Sequence, residues 1–184
     1  MIKSKNEMLQ KERVKALLIA TVIFLILIGG TKVQAKGNGT ADIDFQARIS
    51  EMAKRHRIIT DNLIAYVNYK HESINLLAEV IYHENWYTDK DKLTAYWTGA
   101  VVMNRVKSPK FPNTVKEVLY QKKPIQYSTT GKFFTKEIPD ECYQMARDIW
   151  ENGTPDVPEN VLYQATFSQG KIWKQLNGEI FCYG

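Results

Sequence analysis

Residues 93–106 place apolar side chains on every side of a helix: Ala95, Tyr96, Trp97, Ala100, Val101, Val102, Met103 and Val106 leave it without a wet face. Such a helix cannot lie on a surface and has to be packed by others on several sides. Gly99 beside Ala100 lets a neighbour come close. Ser108-Pro109-Lys110-Phe111-Pro112 then ends the helix, because proline lacks an amide donor and restricts the residue before it.

The nearest candidate neighbour is the helix before it, over residues 71–86. There Ile74, Leu77, Ala78, Ile81 and Asn85 recur at core-facing spacing, while Glu79 falls toward the opposite, solvent side. Glu84 sits at the edge of the apolar stripe, beside Trp86 and Tyr87. A carboxyl held against such surface loses hydration, which raises its pKa above the free value of about 4.3. That change turns a glutamate into a general acid able to protonate a leaving oxygen near neutral pH; on this helix alone, the alternative is a helix-edge glutamate half in water.

Downstream, Thr114 and Glu117 have capping-box spacing at the start of a short helix over 114–120. Residues 124–135 suit an extended or hairpin segment with a turn at Thr130-Gly131. Pro139-Asp140 opens a helix to about Asn152, with Cys142, Met145, Ala146 and Ile149 as its core stripe. Residues 161–165 and 178–183 are strand candidates flanking a polar loop, a terminal hairpin. The fold class that follows is α+β, mainly helical with a small β-hairpin element.

Upstream, a basic segment (Lys3, Lys5, Lys11, Arg13, Lys15) precedes an uncharged run over residues 16–30 and the small-residue site Val33-Gln34-Ala35. Residues 1–35 read as a secretory signal peptide, or as a membrane anchor through residues 16–30 if uncleaved; the run is short of the ~20 apolar residues of a span. Both put the remainder outside the cytoplasm, secreted or at the cell wall. Residues 1–35 hold six Lys/Arg and two Asp/Glu, so the rest carries 19 and 18, a net charge near +1 instead of +5. The basicity therefore gives no ground for nucleic-acid binding. Residues 36–70 form a polar linker and a helical arm, and 71–184 the main domain. Cys142 and Cys182 are either paired in an oxidising exterior or buried as free thiols.

Several chemistries find no support. His56, His71 and His83 lack metalloprotease spacing and read as solvent-facing, so no metal is expected. Cys142 lies on an apolar stripe, unlike a reactive thiolate. There is no Gly-x-Ser-x-Gly and no phosphate-cradling glycine loop, and no cofactor is expected.

The helix-end Glu84, Val101-Val102-Met103-Asn104-Arg105-Val106, the run from Asn104 to Thr114, and Val118-Leu119-Tyr120-Gln121 together resemble the spore-cortex-lytic cell-wall hydrolases (SleB/CwlJ-like). Gln126-Tyr127-Ser128 looks like that family's Gln-aromatic-Ser element. Leu162-Tyr163 and Asn177-Gly178-Glu179-Ile180-Phe181 look like its closing strands. Asn85-Trp86 and Trp97 depart from it, standing where the family has small residues. The resemblance implies a lysozyme-like fold acting on peptidoglycan, at the β-1,4 bond between N-acetylmuramic acid and N-acetylglucosamine. It aligns Glu84 with the catalytic glutamate. Gln126, Tyr127, Ser128, Tyr163 and Gln164 are candidates to line the sugar groove, with ordinary strand packing the alternative for Tyr127 and Tyr163, whereas Asn104 reads as a tie from helix to loop. An ordinary glycosidase needs two carboxylates. Asp89, Asp91, Glu137 and Asp140 lie in loops or at a helix start, none well placed as a partner, and this favours a lytic transglycosylase, which needs one acid. A hydrolysing muramidase and a non-catalytic wall-binding protein are the alternatives.

Overall fold

The structure, a computed structural model, describes residues 2–29, 39–86 and 92–184. It divides into two compact units, Met1–His71 and Glu72–Gly184. The first contains α1 (Ile2–Gly29) and most of α2 (Gly39–Ile81). Within it Arg13 Nε and Nη2 donate to Asn68 Oδ1 at 3.0 and 2.7 Å, and the Phe24 ring lies 4.6 Å from that of His56. The two stretches expected as a helical arm are thus one continuous helix. Gly39 and Thr40, expected in the linker, form its first residues, while the expected cleavage site at Val33-Gln34-Ala35 lies outside the described residues. No helix among the described residues is long and apolar enough to cross a membrane.

The second unit is mainly helical α+β. Its centre is α3 (Lys92–Lys107). Ala95 and Val102 pack into one core cluster with Leu77, Ile81, Val118 and Ile149, whereas Trp97, Ala100 and Val101 pack into another with Val157, Val161 and Phe181. The helix without a wet face is therefore central, as its sequence requires. Gly99 allows the closest approach: a Cβ there would meet Ile149 Cδ1 at 2.6 Å and Ile81 Cδ1 at 3.0 Å.

Around α3 stand the end of α2, the short α4 (Val115–Leu119) and α5 (Asp140–Asn152). Thr114 caps α4 by accepting from the Glu117 N–H at 3.2 Å and donates its hydroxyl to Glu117 Oε2 at 2.7 Å. On α5, Cys142, Ala146 and Ile149 are buried, with Met145 partly so. Cys142 and Cys182 are both buried free thiols, and burial pushes the Cys142 thiol up to about 12.

Three expectations need correction. Glu79 does not face solvent; it is 1% exposed. Leu76, Leu77, Ala78, Val80 and Ile81 surround the helix with apolar residues, so this turn of α2 is buried on all sides and carries the glutamate in with it. Residues 124–135 are not a hairpin: beyond a single bridge between Lys122 and Ile125, the chain forms a 3-10 turn, Ser128–Lys132. The polar loop near the C-terminus contains a strand. The sheet is β1 (Val161–Ala165), β2 (Ile172–Leu176) and β3 (Glu179–Tyr183), antiparallel in the order β1-β3-β2. Strand β2 hides in the sequence because its apolar residues, Ile172, Trp173 and Leu176, do not alternate with polar ones and none of its side chains is fully buried. The hairpin is β2–β3, and its turn residues Asn177 (φ 49°) and Gly178 (φ 83°) suit the left-handed conformation that tight hairpins require.

Candidate active site

Helix α2 ends in a π-helical turn, Tyr82–Trp86, which carries Glu84. Wider i→i+5 turns of this kind occur mostly as single turns and are frequent at functional sites. Asn85 anchors the turn: it is buried, and its Nδ2 donates to Thr98 Oγ1 on α3. Thr98 in turn donates to Thr94 O at 3.0 Å, and Asn177 Nδ2 of the β2–β3 turn donates to Thr94 Oγ1 at 3.0 Å. The residue after Glu84 is therefore linked through α3 to the hairpin that opens into β3.

The Glu84 carboxyl is half-buried, and Thr129 Oγ1 on the 3-10 turn donates to its Oε1. Burial is the largest influence and raises its pKa above the usual carboxylate range. The Thr129 hydroxyl opposes this, Glu179 raises it further, and the Thr129 backbone N–H and Lys132 oppose again. The net direction is upward, as expected from its place at the edge of an apolar stripe.

His83, expected on the surface, has a side chain only 5% exposed, with its Nε2 3.3 Å from Glu79 Oε2. Burial, with Lys136 and Lys132 nearby, lowers its pKa and favours the neutral imidazole. Its ring stacks on Phe133 with centroids 5.8 Å apart.

Of the five groove candidates, Tyr127 is drawn into the field of Glu84. Its ring is buried and its hydroxyl has no hydrogen-bond partner among the described residues. Burial pushes the phenol pKa up, Arg105 opposes, and the Glu84 charge adds to the rise. Ser128 is exposed and adjoins Thr129, and Gln126 is half-buried. Tyr163 and Gln164 lie on β1, where Gln164 Oε1 is buried without a partner among the described residues.

What joins Tyr127 to Tyr163 is Arg105, which the sequence reading passed over. It is 2% exposed, and its guanidinium carbon lies 5.1 Å from the ring centres of Phe111 and Tyr127 and 6.0 Å from that of Tyr163. Aromatic faces attract a cation through their quadrupole. Strand β1 is irregular between Val161 and Tyr163, and a bulge leaves backbone groups off the ladder. Arg105 Nε donates to the Leu162 carbonyl there at 2.6 Å. Its neighbour Asn104 donates to Pro158 O at 2.9 Å and Val161 O at 3.1 Å, the helix-to-loop tie expected of it. One arginine within an otherwise apolar helix was the available signal.

Thr129 and Glu179 were also missed. Neither has a signal of its own, since each matters only through its nearness to Glu84 in the fold. Of the carboxylates considered from sequence, Glu137 and Asp140 are exposed and do not act on Glu84, and Asp89 and Asp91 lie outside the described residues. Among the described residues no three His, Cys, Asp or Glu side chains gather as a metal site would require.

A family model described as Cell Wall Hydrolase matches residues 89–180, half of the chain. The matched stretch takes in α3, Arg105, the 3-10 turn and most of the sheet, and begins after Glu84. No curated protein and no solved structure is matched. With half its length matched by that family's model, the chain belongs to the cell wall hydrolases, and its function is the degradation of peptidoglycan.

Proposed function

We propose that the protein is a lytic transglycosylase that cleaves the β-1,4 bond between N-acetylmuramic acid and N-acetylglucosamine with Glu84 as its catalytic acid. The observation that carries this reading is a half-buried carboxyl with a raised pKa, anchored by the Thr129 hydroxyl. Protonated Glu84 delivers its proton to the glycosidic oxygen as the bond to the muramic C1 breaks. The resulting carboxylate then takes the proton of the sugar's own 6-hydroxyl as that oxygen closes on C1. The product is a 1,6-anhydro sugar, no water is consumed, and Glu84 returns to its starting state. Gln126, Ser128, Tyr163 and Gln164 line the groove as hydrogen-bonding and stacking groups, and the buried Tyr127 ring supports it from behind, beside Arg105. Export through the basic and apolar segment over residues 1–35 brings the enzyme to its substrate.

A second reading, simple hydrolysis, is favoured by one observation: Glu179 is a second carboxylate whose charge reaches Glu84. In that case water replaces the 6-hydroxyl and a second acid assists. Mass spectrometry of the soluble muropeptides separates the two. Products one water lighter, ending in 1,6-anhydromuramic acid, establish transglycosylation, and reducing ends establish hydrolysis. Glu84→Gln is expected to lower turnover by about 10²-fold or more while wall binding persists. Unchanged lysis by that variant sinks the role given to Glu84, and an absence of products from any wall substrate moves the protein to the binding class.

A further inference from the structure

Beyond the 3-10 turn, the Thr135 N–H donates to Lys132 O at 3.3 Å and its hydroxyl donates to the same oxygen at 2.6 Å. These bonds close a four-residue turn over Lys132, Phe133, Phe134 and Thr135. Phe133 has φ −61° and ψ 139°, and Phe134 has φ 60°. That is the course of a type II turn, whose third position needs positive φ and is normally glycine or asparagine. A bulky aromatic residue there is a backbone outlier.

The two phenylalanines diverge. Phe133 is buried against His83, whereas Phe134 is 59% exposed, its ring 6.4 Å from that of Phe133 and at 86° to it. His83 immediately precedes Glu84, and Thr129 of the adjoining 3-10 turn bonds Glu84 itself. The turn that presents Phe134 is thus fastened at two points to the segment carrying the acid. Neither backbone preference nor burial accounts for a phenyl ring at this tip, since asparagine or glycine would suit the turn better and leave less apolar surface in water. Strained residues of this kind cluster where ligands are held. A pyranose ring has a face of C–H groups that stacks on a flat aromatic face while its hydroxyls stay in water.

We propose that Phe134 is a stacking platform for a sugar ring of the glycan strand, a subsite beside the bond that Glu84 cleaves. This rests on the peptidoglycan-cleaving reading of Glu84.

The test uses the full chain and purified insoluble peptidoglycan, with binding measured by co-sedimentation in the Glu84→Gln background so that the substrate survives. Phe134→Asn suits the turn, and its thermal stability is expected to equal or exceed that of the parent while wall affinity falls by about tenfold. Phe134→Trp keeps a flat face and is expected to retain affinity. Phe134→Asn with affinity within twofold of the parent overturns the proposal. So does a loss of affinity that tracks a fall in melting temperature in both Phe134→Asn and Phe134→Gly, which would make the ring structural. Failure of the catalytic reading shows itself elsewhere, as lysis by Glu84→Gln alone, and the affinity comparison still decides the platform.

Discussion

Glu84 and Arg105 are opposite charges taken into the same unit, and both act on Tyr127, but the fold accommodates them differently. Glu84 stays half-buried on a π-helical turn, under one threonine, where it can shed its charge by taking a proton. Arg105 is fully buried on the central helix and has no such exit, because a guanidinium does not deprotonate in proteins. Its charge is met by three aromatic faces and one carbonyl, and its Nη1 has no hydrogen-bond partner among the described residues. The carboxyl proposed to exchange protons sits half-buried on a short, irregular segment; a permanent cation serves as an internal fastener. The difference separates chemistry from scaffolding within one site.

The strongest way to break this contrast is Arg105→Ala. It removes the bond to Leu162 and the ion between Phe111, Tyr127 and Tyr163, and is expected to cost about 3 kcal/mol or more in chemical denaturation. Arg105→Lys keeps the charge but not the planar fork, and should lose part of that. A loss below about 1 kcal/mol for the alanine variant would show that Arg105 is not the fastener. Asn104→Ala sharpens the point with a neutral side chain: two buried carbonyl contacts vanish, for about 1–3 kcal/mol by the same measurement.

Glu84→Gln should move stability the other way. The folded pKa of Glu84 lies above its unfolded value, so its ionisation opposes folding; the opposition is absent below the unfolded value and complete above the folded one. The glutamine variant is therefore expected to melt at a higher temperature than the parent at neutral pH, and the gap should close as the pH falls below 4.5. An equal gap at acidic pH would show that the gain does not come from removing the charge.

With Glu84 in its proposed role, the subtlest effects concern the alkaline limb of the activity profile, expected where Glu84 loses its proton. Thr129→Val removes a bond that lowers the pKa and should shift the limb to higher pH. Glu179→Gln removes a charge that raises it and should shift the limb to lower pH. Parallel shifts in one direction would mean that these residues act on something other than Glu84.

Glu84 was legible because the edge of an apolar stripe is a property of consecutive residues, and desolvation follows from it. Asn104 was legible as a tie because a polar amide in a buried helix must find carbonyls to bond. Glu79 was misplaced by the same arithmetic: spacing assigns a face to a residue but cannot tell that every face is covered. Residues 124–135 misled because alternation and a Thr-Gly pair fit a hairpin as well as a 3-10 turn, and the choice was made by where Thr129 and Phe133 find partners on the π-helical turn.

By itself the sequence determined the central helix, the capped and proline-bounded helices around it, the closing strands and the acid at the helix end. These rest on periodicity, capping and backbone sterics, which act over a few residues. The tertiary structure alone decided that Thr129 and Glu179 bear on Glu84, that Arg105 joins Tyr127 to Tyr163, and that Phe134 stands out from a strained turn tied to the acid. Hydrogen bonds, cation–π contacts and charge–charge effects depend on separation in space, and residues far apart in the chain acquire it only when the core closes.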